Sequence, residues 1–126
     1  MKTERQHLGR RGEDEACLHL QRLGHSILER NFRSGHTELD IISLAQDGLH
    51  FVEVKSRTAP CSADPEENVG AAKRRSLVRA AQGWLHSPQR APLREQEVFF
   101  DIISVVFDHN TTYINYYPQA FIPIYV

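Results

Sequence analysis

The sequence predicts an α/β fold of three layers, α/β/α, with a helix on each face of a central mixed sheet. Two observations carry this. Apolar residues recur at helical spacing in 3–23 and again towards 85, and five other segments are rich in Ile, Leu, Val, Phe or Tyr with a period near two. The resulting order, α-β-β-β-α-β-β, closes most simply with helices on either side of a sheet. The length of 126 residues suits one domain, 1–126, with a single core.

The first segment, 3–23, reads as a helix because Gly9, Gly12, Ala16, Leu20 and Leu23 share one face. Gly24 is placed to end it. Glu13 lies one turn before Ala16 and Cys17, near the edge of that face. Gly9 and Gly12 cost helix propensity, and their small size leaves room for another backbone or a phosphate. Segments 25–33, 38–44 and 49–57 then read as strands. Ser34-Gly35-His36 and Gln46-Asp47-Gly48 supply the turns of two successive hairpins, hence an antiparallel meander.

Residues 58–68 form a loop, and Asp64-Pro65-Glu66-Glu67 within it has the form of a helix start. The second helix runs to about residue 86, with Val69, Ala72, Leu77, Ala80, Ala81, Trp84 and Leu85 towards the core. A loop at 87–94 leads into a strand at 98–107, a turn at Asp108-His109-Asn110 and a last strand at 111–117. The tail 118–126 is apolar but broken by two prolines, and is expected to pack on the domain edge or on a second copy.

Bulk composition narrows the function classes. The apolar fraction is 40% and the charged fraction 25%, ordinary for a globular protein. No apolar run approaches the length of a membrane span, and the first residues lack the apolar core of a secretory signal. Cys17 and Cys61 make no metal-ligand pair, so the expected setting is a reducing cytoplasm. The net charge of −1 gives no bulk support for nucleic-acid binding. What matters is whether Arg10, Arg11, Arg30, Arg33, Lys55, Arg57 and Lys73 converge.

The chemistry concentrates in the strand Phe51-Val52-Glu53-Val54-Lys55. Alternation places Leu49, Phe51, Glu53 and Lys55 on one face and His50, Val52 and Val54 on the other. Apolar residues on both faces mark a covered central strand, where an unpaired carboxylate is costly. The preceding strand repeats the anomaly: Glu38, Asp40 and Ile42 share a face, with Leu39 and Ile41 opposite. The hairpin sets Asp40 beside Glu53, and Glu13 approaches from the first helix. Adjacent carboxylates repel unless a cation or proton separates them, and three oxygen ligands suit Mg²⁺ or Mn²⁺. The competing reading is a buried ion pair of Lys55 with Glu53 or Asp40 that has no catalytic role.

The seven histidines show no metal-ligand spacing, and His36, by the hairpin turn, is the one to watch. Asp101 opens a buried strand and is expected to pair with an Arg or cap a loop.

Several stretches together carry a resemblance. Gly9-Arg10-Arg11-Gly12-Glu13, Arg30-Asn31-Phe32-Arg33, Glu38-Leu39-Asp40-Ile41-Ile42 and Phe51-Val52-Glu53-Val54-Lys55-Ser56-Arg57 are joined by Lys73, Ala80-Ala81 with Trp84-Leu85, and Phe100-Asp101. In order and spacing, over nearly the whole chain, this resembles the YraN family of uncharacterised bacterial proteins. That family is related to the PD-(D/E)XK nucleases and closest in layout to archaeal Holliday-junction resolvases. Thr37 stands where the family usually has Gly, and Phe99 where it usually has Arg.

The resemblance implies a restriction-endonuclease-like fold and metal-assisted phosphodiester hydrolysis. It implies that Asp40 and Glu53 hold Mg²⁺ or Mn²⁺ with the Val54 carbonyl. Glu13 would hold a metal-bound water or second ion, and Lys55 would orient the attacking water. Arg33, Arg57 and Lys73 are expected at DNA phosphates; Glu38 ranks below the other carboxylates. The expected partner is DNA, branched or junction-shaped. A non-catalytic nucleic-acid-binding module and a scaffold built on the apolar tail are the alternatives, and a homodimer is compatible with each.

Overall fold

The computed structural model describes residues 3–60 and 70–121. Helix α1 spans Glu4–Arg22, strands β1 Ser26–Ser34, β2 Thr37–Ala45 and β3 Gly48–Thr58 follow, then helix α2 Ala71–Leu85, a 3-10 helix Pro88–Leu93, and strands β4 Val98–Asp108 and β5 Thr111–Phe121. The strands form one five-stranded sheet in chain order. All neighbours are antiparallel except β3 and β4, which run parallel. A parallel pair needs a long crossover, and the stretch containing α2 provides it.

One helix covers each face. Ala16, Cys17 and Leu20 of α1 pack on Ile41, Val52, Ile103 and Val105. Leu77, Ala80, Ala81 and Trp84 of α2 pack on Ile42, Leu49, Phe51, Phe100 and Ile102. Strands covered on both sides are apolar on both faces, which is why β3 and β4 read as near-continuous hydrophobic runs.

Helix α1 starts where Thr3 accepts from the Gln6 amide at 3.2 Å and the Gln6 side chain accepts from the Thr3 amide at 2.9 Å, a reciprocal cap. Leu23 departs from the expectation: it is the C-cap residue and is exposed. Helix α2 begins at Ala71 after Gly70, so Ala72 falls in its exposed first turn and Val78 takes a core place. Val69 and the anticipated start at Asp64-Pro65-Glu66-Glu67 lie outside the described residues.

Residues 88–93, expected as loop, form the 3-10 helix. Arg94 closes it against α2, donating to the Leu85 carbonyl at 2.8 Å and the His86 carbonyl at 2.9 Å. Strand β5 runs on through Pro118 to Phe121, whose ring stacks on Phe100 at 5.0 Å. The first part of the apolar tail is thus an edge strand, where a proline costs no ladder bond. Residues 122–126 and Cys61 lie outside the described residues, while Cys17 is a buried free thiol. No helix among the described residues is long and apolar enough to cross a membrane.

Candidate metal centre

Two local features open one end of the sheet. The first is Gly12. A Cβ there would lie 1.7 Å from Ser56 Oγ, so only glycine lets α1 approach β3 this closely. The space left by the missing side chain is filled by the protein's own strand rather than by a phosphate. That contact sets Glu13 against the end of the sheet.

The second feature is a parting of β2 from β3. Their pairing runs from Ala45↔Gly48 to Ile41↔Val52 and stops there. The next position on β3 is served by a side chain: the Val54 amide donates to Asp40 Oδ2 at 2.8 Å. In extended backbone the N–H and C=O of one residue face the same edge, so the Val54 carbonyl also faces this gap.

Strict alternation fails here. Leu39 packs with Ile42 on the α2 side, whereas alternation puts it with Ile41. Glu13, Glu38 and Asp40 each offer a carboxylate oxygen, and the three lie within 4.8 Å of one another. Glu38, ranked lowest from sequence, is therefore a full member, and Glu53 stands outside the trio.

Burial, opposed by the Val54 hydrogen bond and reinforced by Glu53, Glu13 and Glu38, pushes the Asp40 carboxyl up to about 7. Burial also raises Glu13, against hydrogen bonding from Asn31 and the charge of Arg30. Asn31 sits at φ 56 within β1, a conformation Asn tolerates better than most residues.

Glu53 lies on the α2 side. Its Oε1 is 3.3 Å from Lys55 Nζ and 3.3 Å from Lys73 Nζ. Its Oε2 is buried with no hydrogen-bond partner, the one such side-chain atom among the described residues. Such an atom forfeits its hydration without replacement, which native proteins rarely tolerate. Asp40 and Glu53 line one small cavity with Leu39, Phe51, Leu77 and Phe100. Glu13 and Glu38 instead face an open cleft bordered by Gly9, Arg10, Arg30, Asn31 and Arg33. Asp40 is the hinge between the two.

The expected phosphate-binding residues divide. Arg33 is largely exposed at the cleft, 3.9 Å from Glu38. Lys73 is turned onto Glu53. Arg57 lies on β3 opposite Val106, on the Lys55 face. Arg30, for which the sequence implies no role, pairs with Asp14 at 2.8 Å and Glu13 at 3.6 Å. His36 is exposed.

Asp101, paired in register with Val52 and also bordering the small cavity, anchors a second buried network. It pairs with His50 Nδ1 at 2.6 Å, accepts from the Tyr116 hydroxyl, and accepts from the Gln119 amide at 2.9 Å, where β5 bulges with Gln119 at φ 51. The sequence offers an Arg partner or a loop cap; the structure has a histidine instead of the Arg, and the carboxylate holds the amide of a strand bulge rather than of a loop. His50 Nε2 reaches Asp47 at 2.8 Å. Two carboxylate acceptors on one imidazole require a proton on each nitrogen. Burial opposes that charge, but the hydrogen bonds to Asp101 and Asp47 outweigh it and lift the His50 pKa above its ordinary value.

The family model described as "Uncharacterised protein family UPF0102" matches residues 12–105. A UPF0102 protein of Syntrophotalea carbinolica is 40% identical over 121 residues, covering 96% of each chain. One of Bacteroides thetaiotaomicron is 38% identical over 122 residues, covering 96% of this chain and 97% of that one. One of Nitratidesulfovibrio vulgaris is 40% identical over 113 residues, 90% and 82% of the two chains. The matched region holds Glu13, Asp40, Glu53 and Lys55, and the chain belongs to the UPF0102 (YraN) family.

Proposed function

We propose that this protein is a divalent-cation-dependent DNA endonuclease of the PD-(D/E)XK type, acting on branched or junction DNA. The observation that carries the reading is the orphaned Oε2 of Glu53, buried beside a carboxylate that burial and neighbouring charge push up to about 7. Glu13, Glu38 and Asp40 within 4.8 Å add hard oxygen donors. That donor set fits Mg²⁺ or Mn²⁺. Asp40, Glu53 and the Val54 carbonyl would hold the cation, with Glu13 and Glu38 on the cleft side.

When bound, such a cation supplies a Lewis acid for the phosphodiester and lowers the pKa of water. The remaining work falls to the chain. Lys55, fixed two residues beyond Glu53 on the same face, orients the attacking water and offsets charge building on the phosphate. Arg33 and Arg57 position the backbone without reading sequence. Arg10, on the rim of the same cleft, extends that cationic edge. The restriction-endonuclease-like relationship rests on the motif order and on the α/β/α arrangement around a mixed sheet.

The test is metal-dependent cleavage of branched, flapped and linear DNA by wild type and Lys55→Ala. Cleavage by wild type alone supports the assignment; no cleavage by wild type, or equal cleavage by both, refutes it.

One observation favours a second reading. Glu53 Oε1 already has two lysine partners, as in a structural ion cluster, and the net charge is −1. A non-catalytic nucleic-acid-binding module on the same fold would bind DNA with a salt dependence that survives loss of Asp40 and Glu53.

A further inference from the structure

The two oxygens of Glu53 are treated unequally. Oε1 has two ammonium groups at 3.3 Å, and Oε2 has nothing. The two lysines differ in origin. Lys55 shares the strand and the face with Glu53, and its side chain is 23% exposed. Lys73 comes from the other layer, three residues past the Gly70 N-cap of α2, and its side chain is 46% exposed.

A cation in the first turn of a helix opposes the helix dipole. Nothing local compensates, because that turn has no acidic residue and the cap no side-chain hydrogen bond. Lys73 is therefore out of place for its helix, and its carboxylate partner is Glu53, at 3.3 Å. Its exposed stem leaves the head free to move outward, whereas Lys55 is tied to the strand.

We propose that Lys73 is the resident counter-cation of Glu53: it neutralises the buried carboxylate in the cation-free protein and is displaced when a divalent cation takes Oε2. The inference rests on the cation site of the proposed function and adds a competitor to it. A divalent ion on Oε2 and two ammonium groups on Oε1 would crowd four positive charges around one carboxylate. Lys73 is the one that can leave. Its displacement lowers the apparent affinity for the cation, because each binding event must first break the ion pair.

The experiment is Mn²⁺ titration by calorimetry on wild type, Lys73→Met, Lys73→Gln, and Lys73→Met combined with Glu53→Gln. The expected result is Mn²⁺ binding several-fold to tenfold tighter in both single variants, with the gain abolished in the double variant. A merely structural clamp of α2 onto the sheet would leave affinity unchanged or weaken it, and either result overturns the proposal. Tightening that persists in the double variant also overturns it, since the effect would not pass through Glu53. Binding by wild type with no change in the variants sinks this proposal and leaves the cation site standing. No Mn²⁺ binding by any of the proteins sinks both.

Discussion

Two groups of buried charge share this sheet and are finished to different degrees. Around Asp101 both carboxylate oxygens are used, by His50, Tyr116 and the Gln119 amide, and both nitrogens of His50 have acceptors. Around Asp40 and Glu53 one buried oxygen has no partner and three carboxylates crowd within 4.8 Å. The first arrangement is complete without help from outside. The second is stable only in so far as something positive completes it. Burial alone therefore does not tell the two groups apart; unmet hydrogen-bonding demand does.

Truncation separates the two most sharply. Asp101→Ala leaves the His50 imidazolium without its buried partner and cuts the bulge loose, and should cost about 3–5 kcal/mol in urea unfolding. A loss below about 1 kcal/mol would show that the closed network is not structural. Glu53→Gln should instead change cation-free stability by less than about 1 kcal/mol, because Lys55 and Lys73 retain access to water.

Saturation with Mn²⁺ bears on the second group alone. At a hundredfold excess over its dissociation constant the stabilisation should be about 2.7 kcal/mol, read as a raised melting temperature. Asp40→Asn should remove it and Asp101→Asn should not. Stabilisation that survives Asp40→Asn would place the cation elsewhere.

Gly12→Ala tests how the open end is built. The added Cβ has Ser56 Oγ at 1.7 Å and Ser56 Cβ at 2.7 Å, so α1 must shift. The cost should be about 1–3 kcal/mol. Ser56→Gly in the same chain should recover part of it.

The mildest probe is pH. Asp40 is raised from 3.8 to about 7, so between those values the folded state binds more protons than the unfolded one. Cation-free stability should then fall as pH rises through that window, at no more than about 1.4 kcal/mol per pH unit. His50 is also raised, so its contribution is present below the ordinary histidine pKa and is lost as pH rises through its folded value. Mn²⁺ should flatten the Asp40 slope and leave the His50 slope unchanged, as measured by melting temperature against pH.

Much of this was legible in the residues. Period and turn chemistry located both helices and all five strands, because an element covered on one or both faces must repeat its apolar residues accordingly. Glu53 and Lys55 stood out as charges in an apolar strand, and Asp40 as its hairpin neighbour. Alternation puts Glu38 on the Asp40 face; it ranks low from sequence because a carboxylate near a hairpin turn suits a structural role, and only the approach of Glu13 from another layer makes it one of three. For Asp101 the sequence offers only an Arg partner or a loop cap, because nothing in a linear sequence links position 101 to His50, 51 residues earlier.

What the sequence by itself determined is therefore the set of elements and which of them hold charges that do not belong in a core. Local periodicity encodes burial, and burial makes a charge anomalous. The tertiary structure decided which anomalies are resolved. It gave Asp101 its three partners, gave Glu53 two lysines for one oxygen and none for the other, and brought Glu13 of α1 against Glu38 and Asp40. Those outcomes depend on contacts between distant segments, set by strand splay and by the close approach at Gly12. The strand carrying Glu53 and Lys55 could be read directly; that Glu53 is only half satisfied could not.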